Sequence, residues 1–208
     1  MRYLIGAAVV ALALPGGAMA ATFSGGWTAS ANAADPGLVV SLSSASGAVN
    51  TTDLAVGQSY SFNLFRIWTD EATVNRGEDD QPQPISVNFA FTDPVVSGTT
   101  VGQTFGERSL LGVIQQGRVV WNGPLTLSFG QGGTGRMTIS LSNGVFNSGV
   151  GGLDEGATES ALVRATLRYD QAPVSSPAAV PLPATLPLLA AGVGAIGLAA
   201  RRRRDKAS

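Results

Sequence analysis

The stretch ISVNFAFT, residues 85–92, is the part of the sequence that decides the fold class. Its apolar residues alternate strictly with small or polar ones, so all four apolar side chains lie on one face of an extended chain. A strand with one apolar and one polar face is typical of antiparallel sheets that bury a single side. The stretch therefore predicts antiparallel β-structure rather than helix.

The same period of two recurs further along the chain. It is found at residues 125–129, 137–141 and 161–169, and a Gly-rich turn sequence at 130–135 separates the first two of these. Residues 118–146 are accordingly predicted to form a meander, with Asn143-Gly144 as a further turn signal. The predicted fold is an all-β, antiparallel two-sheet sandwich of the jelly-roll or immunoglobulin-like type, which we prefer to a closed barrel.

The segment from Tyr60 to Ile67 changes the phase of its alternation. Tyr60, Phe62 and Leu64 share one face, whereas Phe65 and Ile67 take the other. Such a change indicates either a β-bulge or a strand that is buried on both faces. Residues 28–57 are rich in small residues and are predicted to form short edge strands and loops.

The charge and the missing residue types exclude several functions. The chain has no cysteine and no histidine, which excludes disulfides, the common zinc sites and a Ser-His-Asp triad. Residues 21–180 contain thirteen acidic residues and seven arginines, a net charge of −6. A negatively charged surface disfavours the binding of nucleic acid. No cofactor is predicted.

The N-terminus has the pattern of a secretory signal peptide over residues 1–20. Arg2 supplies the positive charge, an apolar stretch runs from Leu4 to Leu14, and small residues at Ala18 and Ala20 precede the predicted cleavage point. The apolar stretch of eleven residues is too short to span a bilayer core of about 30 Å. We therefore expect signal peptidase to cut after Ala20, and we do not expect the segment to stay in the membrane as a permanent anchor.

The C-terminus combines three ordered features. A linker rich in Pro and small residues contains Val180-Pro181-Leu182-Pro183-Ala184, an apolar segment covers residues 185–200, and Arg201-Arg202-Arg203-Arg204 follow directly. The apolar segment is long enough to cross a membrane, and the arginines should stay in the cytoplasm. This tripartite pattern resembles the PEP-CTERM class of sorting signals, and specifically its VPLPA-CTERM variant.

The resemblance covers only residues 178–208 and implies processing by an exosortase-type membrane protease of a Gram-negative bacterium. Two other interpretations of the tail remain. Leu182-Pro183-Ala184-Thr185 is similar to the start of a sortase motif, but residue 186 is Leu where that motif has Gly. A plain membrane anchor that is never cleaved is the other.

Two acidic stretches are the candidate metal ligands. Glu78, Asp79 and Asp80 cluster in one predicted loop, and Asp154 and Glu155 lie in another. Calcium prefers several oxygen ligands from flexible loops, but neither stretch has EF-hand spacing. Solvated acidic turns are therefore preferred to a calcium site. Carboxylate pairs could also serve as the acid and base of a glycosidase, although sequence spacing alone is weak evidence for this.

Five aromatic residues are candidates for stacking on sugar rings at the surface. Aromatic faces stack well on apolar ring faces, yet Trp and Tyr are also usual members of a β core. Core packing is the preferred interpretation, with a ligand platform as the alternative. The residues are Trp27, Trp68, Trp121, Tyr60 and Tyr169.

These observations predict an exported, non-catalytic cell-surface or extracellular-matrix protein, associated with exopolysaccharide and biofilm through what the resemblance implies. It would be held transiently in the inner membrane with its main domain in the periplasm, and then reach the cell surface or the medium. A secreted carboxylate-dependent glycan hydrolase is the alternative. The predicted segments are a signal peptide (1–20), a β-rich domain (21–171), a linker with the sorting motif (172–184), a transmembrane helix (185–200) and a basic cytoplasmic tail (201–208).

Overall fold

The computed structural model describes residues 20–174, except the side chain of Leu110. This region contains thirteen β-strands, three short 3-10 turns and no α-helix. The all-β prediction is confirmed for these residues. The strands are β1 (Ala20–Ala21), β2 (Ser24–Ser30), β3 (Ser41–Leu42), β4 (Ser46–Asn50), β5 (Leu54–Ala55), β6 (Ser59–Trp68), β7 (Gln83–Asp93), β8 (Val95–Ser109), β9 (Ile114–Trp121), β10 (Leu125–Phe129), β11 (Gly135–Leu141), β12 (Gly144–Val150) and β13 (Ala161–Gln171).

Two larger antiparallel sheets account for most of the strands. One has six strands in the order β12-β9-β8-β7-β2-β4, and the other has five in the order β10-β11-β13-β6-β3. The strands β1 and β5 form a small separate pair in which Ala20 faces Ala55. The compact unit that contains these sheets ends at Val174.

One hydrophobic core joins the inner faces of both larger sheets. The apolar residues of the deciding stretch, Ile85 to Phe91, are at most 4% exposed, and those of β13 from Val163 to Tyr169 are at most 1% exposed. The ring of Phe23 meets Phe129 and Tyr169 of the five-stranded sheet and Phe91 of the six-stranded sheet, each edge to face. Such edge-to-face contacts add to the free energy gained by burial.

Strand β8 carries small residues where it faces the core. A methyl group at Gly98 would overlap the side chain of Leu127, one at Gly102 the ring of Trp121, and one at Gly106 the side chain of Val74. These three glycines are spaced by four residues, so all lie on the same face of the strand. Bulky side chains from elsewhere in the fold therefore pack directly onto the backbone of β8.

The structure corrects one prediction about strand order and agrees with most of another. Residues 118–146 are not one meander, because β9 pairs with β8 and β12 in one sheet while β10 and β11 pair in the other. Asn143, which was expected to mark a turn, instead accepts a hydrogen bond from the backbone N–H of Trp121 through Oδ1, at 2.9 Å. The prediction of short edge strands and loops for 28–57 agrees with β3 and β4, which lie at the edges of the two larger sheets, while β2, of which only residues 28–30 fall in this range, is an inner strand between β7 and β4.

The phase change in β6 is a β-bulge. Val163 of β13 faces Phe65, whereas the next residue, Arg164, faces Asn63, so one residue of β6 is unpaired between them. Both Phe65 and Ile67 are buried, as is Leu64. The bulge keeps Phe62 before it and Phe65 and Ile67 after it on the core side, whereas Trp68 at the end of β6 lies on the opposite face.

Candidate functional site

The first acidic loop, residues 69–82, is held in place by Asn147 of β12. The side chain of Asn147 is fully buried, accepts a hydrogen bond from the backbone N–H of Thr69 at 2.8 Å and donates to the carbonyls of Asp154 and Gly156. It has a φ of 50°, in the left-handed region that Asn tolerates better than most residues. Asn147 therefore ties together two loops that are separate in the sequence.

Gln115 of β9 fixes the middle of the same loop. Its side chain is buried, and its Oε1 accepts a hydrogen bond from the backbone N–H of Val74 at 2.7 Å. The carbonyl of Val74 accepts a further hydrogen bond from Arg108 at 3.2 Å. Val74 itself is 1% exposed. The loop thus has its own anchor in the core instead of lying freely on the surface.

The three acidic residues predicted as calcium candidates in this loop have different environments. Asp79 is 1% exposed, and its Oδ2 accepts a hydrogen bond from the backbone N–H of Asn75 at 2.6 Å. Asp80 is exposed, and its Oδ1 accepts from Gly77 N–H at 2.9 Å. Glu78 is half-buried. Asp79 and Asp80 therefore serve as hydrogen-bond acceptors for backbone N–H groups of their own loop.

The second acidic stretch lies against the first. Leu153 N–H donates to the carbonyl of Ala72 at 2.8 Å, and Gly156 N–H donates to that of Thr69 at 2.9 Å. The side chains of Asp154 and Glu155 are exposed. Within residues 20–174, no group of three or more acidic side chains is placed to hold a metal ion. The calcium site stays a hypothesis that this arrangement does not favour.

An open acidic cavity of about 380 Å³ lies beside the first loop. It was not predicted from the sequence, because its carboxylates come from two loops more than thirty residues apart. Neither Asp35 nor Asp70 belongs to an acidic stretch that the sequence singles out. The residues that line the cavity are Asp35, Val39, Ser41, Asp70, Glu71 and Asn75.

Glu71 is the carboxyl group in this cavity whose protonation is altered. Its burial raises the pKa above the ordinary value of 4.5, against a lowering effect of the hydrogen bond from Val39 N–H. The carboxylates of Asp79 and Asp35 raise the pKa further. The bond from Val39 N–H to Oε1 is 2.6 Å long and links the loop before β3 to the acidic loop.

The cavity therefore contains one carboxyl group, Glu71, that holds its proton at higher pH than a free glutamic acid, together with the carboxyl groups of Asp35 and Asp70. Buried Asp79 is next to Glu71 but does not line the cavity, and a hydrogen bond between the two carboxyl groups also raises the pKa of Glu71. A carboxyl group with a raised pKa can act as a general acid, and its neighbours can act as bases. Without a histidine or cysteine, carboxyl chemistry is what this site offers.

The structure agrees with the preferred interpretation, core packing, for three of the five aromatic candidates. Trp27, Trp121 and Tyr169 are 4%, 7% and 1% exposed, so they belong to the core and are wrong as a sugar platform. Trp68 is half-buried, and Tyr60 is 38% exposed with its ring stacked on Phe62 at 5.9 Å between centroids. Only these last two retain ring area that a ligand could reach.

The predicted targeting segments lie mostly outside the described residues. This holds for the cleavage residue Ala18, the sorting motif Val180–Ala184, the transmembrane helix 185–200 and the basic residues Arg201–Arg204. Ala20 is described, as the first residue of β1. Among residues 20–174, no helix is long and apolar enough to cross a membrane.

Comparison with known proteins identifies the C-terminal segment. Residues 179–204 match the family described as the PEP-CTERM protein-sorting motif, which includes the pentapeptide, the apolar segment and the arginine cluster. No curated protein and no solved structure matches the chain. The β-domain thus has no recognised relative. The match to the PEP-CTERM motif over residues 179–204 is consistent with an exosortase sorting signal and implies export through the cell envelope.

Proposed function

We propose that the chain is a non-catalytic cell-surface or extracellular-matrix protein, associated with exopolysaccharide and biofilm. The observation that carries the proposal is the PEP-CTERM motif at residues 179–204, because such a signal delivers its protein beyond the inner membrane. The β-domain has the properties of a stable extracellular module. Burial of its single large core of aromatic and branched residues stabilises the domain, and the sequence has no cysteine that could add disulfides.

The route of delivery follows from the two ends. Signal peptidase removes residues 1–20, and the apolar segment 185–200 then holds the chain in the inner membrane with the domain in the periplasm. The four arginines stay in the cytoplasm. An exosortase next removes the tail and passes the domain to the cell surface or the medium.

Two features of the chain support a non-catalytic role. The sequence lacks histidine and cysteine, the side chains most often used near neutral pH as bases and nucleophiles. In the first acidic loop, Asp79 and Asp80 accept hydrogen bonds from backbone N–H groups of the same loop. Backbone hydrogen bonds also join the two acidic loops to each other. This is the pattern of loops built for stability.

A carboxylate-dependent glycan hydrolase is the second candidate, and the acidic cavity is the specific observation that favours it. Glu71 with its raised pKa would serve as the acid, and Asp35 or Asp70 as the second carboxylate. Turnover of a glycan by the mature protein, abolished in Glu71→Gln and retained in Glu78→Gln, would establish this function over the non-catalytic one.

We further infer that the two larger sheets form a sandwich of the jelly-roll or immunoglobulin-like type. They share one core, yet no strand of one sheet is hydrogen-bonded to the other. The chain changes sheet between β9 and β10, between β11 and β12, and again between β12 and β13. Such frequent crossing is closer to a jelly roll, in which consecutive strands alternate between sheets.

The sorting proposal is tested by intact-mass spectrometry of the protein recovered from its own host. The expected mass lacks residues 1–20 and the tail that includes Arg201–Ser208. Deletion of the exosortase should leave a membrane-held form that retains the tail. Mature surface protein that still contains Arg201–Ser208 would contradict processing and leave a plain anchor.

A further inference from the structure

Four of the seven arginines in residues 21–180 project from one face of the five-stranded sheet. In β13, the residues from Val163 to Tyr169 that alternate with Arg164 and Arg168 are buried in the core, so these two arginines point away from it. The same argument places Arg66 between buried Phe65 and Ile67. Arg136 precedes buried Met137. All four side chains are exposed, and we call this surface the arginine face.

The charge on the arginine face has the opposite sign to that of the domain as a whole. Among the five strands of the sheet, Asp170 is the only acidic residue, which leaves four positive charges against one negative. Asp170 accepts a hydrogen bond from Thr138 at 2.6 Å and lies 3.5 Å from Arg168. Residues 21–180 nevertheless carry a net charge of −6. Eight of their thirteen acidic residues are in the loops 69–82 and 151–160.

The four arginines form an extended row rather than a compact pocket. Arg164 and Arg168 are four residues apart on one strand, about 13 Å at the usual rise of a β-strand. Arg66 is on β6, opposite Leu162, and Arg136 is on β11, opposite Gln171. The row thus follows β13 for about 30 Å. A ligand that meets all four must be long and must carry widely spaced negative charges.

The surface between the arginines is made mostly of hydroxyl groups. The Ser61 and Thr166 hydroxyls are hydrogen-bonded to each other at 2.8 Å, and Thr138 lies one strand further on. Half-buried Trp68 follows Arg66 on the same face. A protein interface would need an apolar centre with aromatic anchors, which this polar face does not offer. Hydroxyls, spaced guanidinium groups and one aromatic ring suit a charged sugar polymer.

We propose that the arginine face binds a linear polysaccharide that carries carboxylate groups. Guanidinium groups bind carboxylates in bidentate fashion, the hydroxyls of Ser61 and Thr166 pair with sugar hydroxyls, and Trp68 packs on a ring face. The proposal deepens the proposed function, on which it rests, by naming the class of exopolysaccharide and the surface that holds it.

Two other polyanions fit the arginine face less well. Duplex DNA carries about one charge per 1.7 Å, so a row with about 13 Å between two of its charges would neutralise few phosphates. An anionic bilayer extends over a whole surface, and the acidic loops of a domain with net charge −6 would be repelled from it. A sparsely charged chain can follow the row along β13 and comes near those loops only at its Arg66 end, where Arg66 donates a hydrogen bond to the Ser160 hydroxyl at 3.3 Å.

The test is titration calorimetry of the mature, exported protein with polygalacturonate, at low and at physiological salt. Neutral dextran, duplex DNA and phosphatidylglycerol vesicles are titrated in parallel. Binding to polygalacturonate should weaken about fivefold in Arg164→Gln and about thirtyfold in Arg164→Gln/Arg168→Gln. Arg76→Gln removes the same single charge from an exposed position in the loop 69–82 and should change the affinity less than about twofold.

Selective loss in the β13 variants, with unchanged thermal unfolding, supports the proposal. An equal loss in Arg76→Gln would overturn it, because net charge would then explain binding. Equal or tighter binding of DNA or vesicles would also overturn it, as would self-association that disappears in the double variant. Export and removal of the tail are followed in the same variants, so a failure of sorting is separable from a failure of binding.

Discussion

Asn147 performs a role at the residue scale that no sequence pattern announces. It stands in a strand, GVFNSGV, where a polar residue would ordinarily face solvent, yet its side chain is fully buried and bonded to three backbone groups. Buried polar groups persist when every hydrogen bond is made. The two acidic loops depend on this one side chain for their relative position.

Replacing Asn147 with Ala should therefore destabilise the domain by about 3 kcal/mol, because the Thr69 N–H and two carbonyls would lose their partner in the interior. Chemical denaturation measures the change. Asn88→Ala is the matched control, because Asn88 donates a single exposed hydrogen bond to Thr99 at 2.9 Å, and its loss should cost less than about 1 kcal/mol. Equal costs for the two variants would show that the loops are held by other contacts.

The neighbouring carboxyl groups of half-buried Glu71 and buried Asp79 give a second prediction at this scale. Because the pKa of Glu71 is raised in the folded protein, the folded state binds a proton more tightly than the unfolded state does. The stability that protonated Glu71 contributes is complete below the ordinary pKa of 4.5 and is lost as the pH rises through the raised value. Unfolding midpoints between pH 4 and 7.5 should show this decline.

Asp79→Asn should make that decline smaller and stabilise the domain by about 1 kcal/mol at pH 7. The variant removes a negative charge beside Glu71 and supplies N–H donors where Asp79 Oδ1 has no partner. Glu71→Gln, which can still accept the hydrogen bond from Val39, should remove this component of the pH dependence altogether. An unchanged slope in both variants would mean that the pair is not the titrating unit.

At the scale of the element, the strands that the sequence predicts are those with a complete apolar face. Strands β7, β10, β11 and β13 contain the predicted alternating segments, because every inward position there is apolar or small. Strand β9 was predicted only from residue 118, since its earlier inward positions are Gln115 and Gly117. Strand β8 was missed because its core-facing positions are Thr and Gly.

The functional candidates were harder to predict, because their surroundings depend on contacts between strands and loops that are distant in the sequence. Burial of Trp27 and Trp121 follows from which face of a strand meets the other sheet, and sequence alternation alone does not identify the solvent side of an aromatic residue. The acidic cavity depends on contacts between loops distant in sequence, such as the bond from Val39 N–H to Glu71. The arginine face, in contrast, is identified from the alternation in β13 combined with the order of the strands in the sheet.

Packing of β12 against β9 gives the prediction for this scale. The ring of Phe146, which is 1% exposed, lies directly over Gly117, so an added methyl group would overlap it. Gly117→Ala should cost about 2 kcal/mol, because the ring must leave its position. If this overlap is the cause, Gly117→Ala/Phe146→Leu should cost about 1 kcal/mol less than the sum of the single variants. Additive costs would place the strain elsewhere.

At the scale of the whole molecule, the β-domain and the sorting motif occupy separate parts of the sequence. The compact unit ends at Val174, and the sorting motif begins at residue 179. Val174, the last residue that the structure describes, donates its N–H to the Thr134 hydroxyl at 3.0 Å. Substitutions in the sorting motif therefore replace no residue of the β-domain.

Pro181 and Pro183 give the sharpest test of that separation. Proline lacks an N–H and favours an extended chain, the form in which a protease binds a substrate strand. We expect Pro181→Ala/Pro183→Ala to be exported normally and to lose residues 1–20, but to accumulate in the inner membrane with its tail intact. Intact-mass spectrometry of membrane and surface fractions measures this, with Pro177→Ala, just outside the matched segment, as the control. Thermal unfolding of the β-domain should be the same in all three proteins. Normal release of the double variant would show that the apolar segment and the arginines suffice for recognition, and that the prolines only link the domain to its anchor.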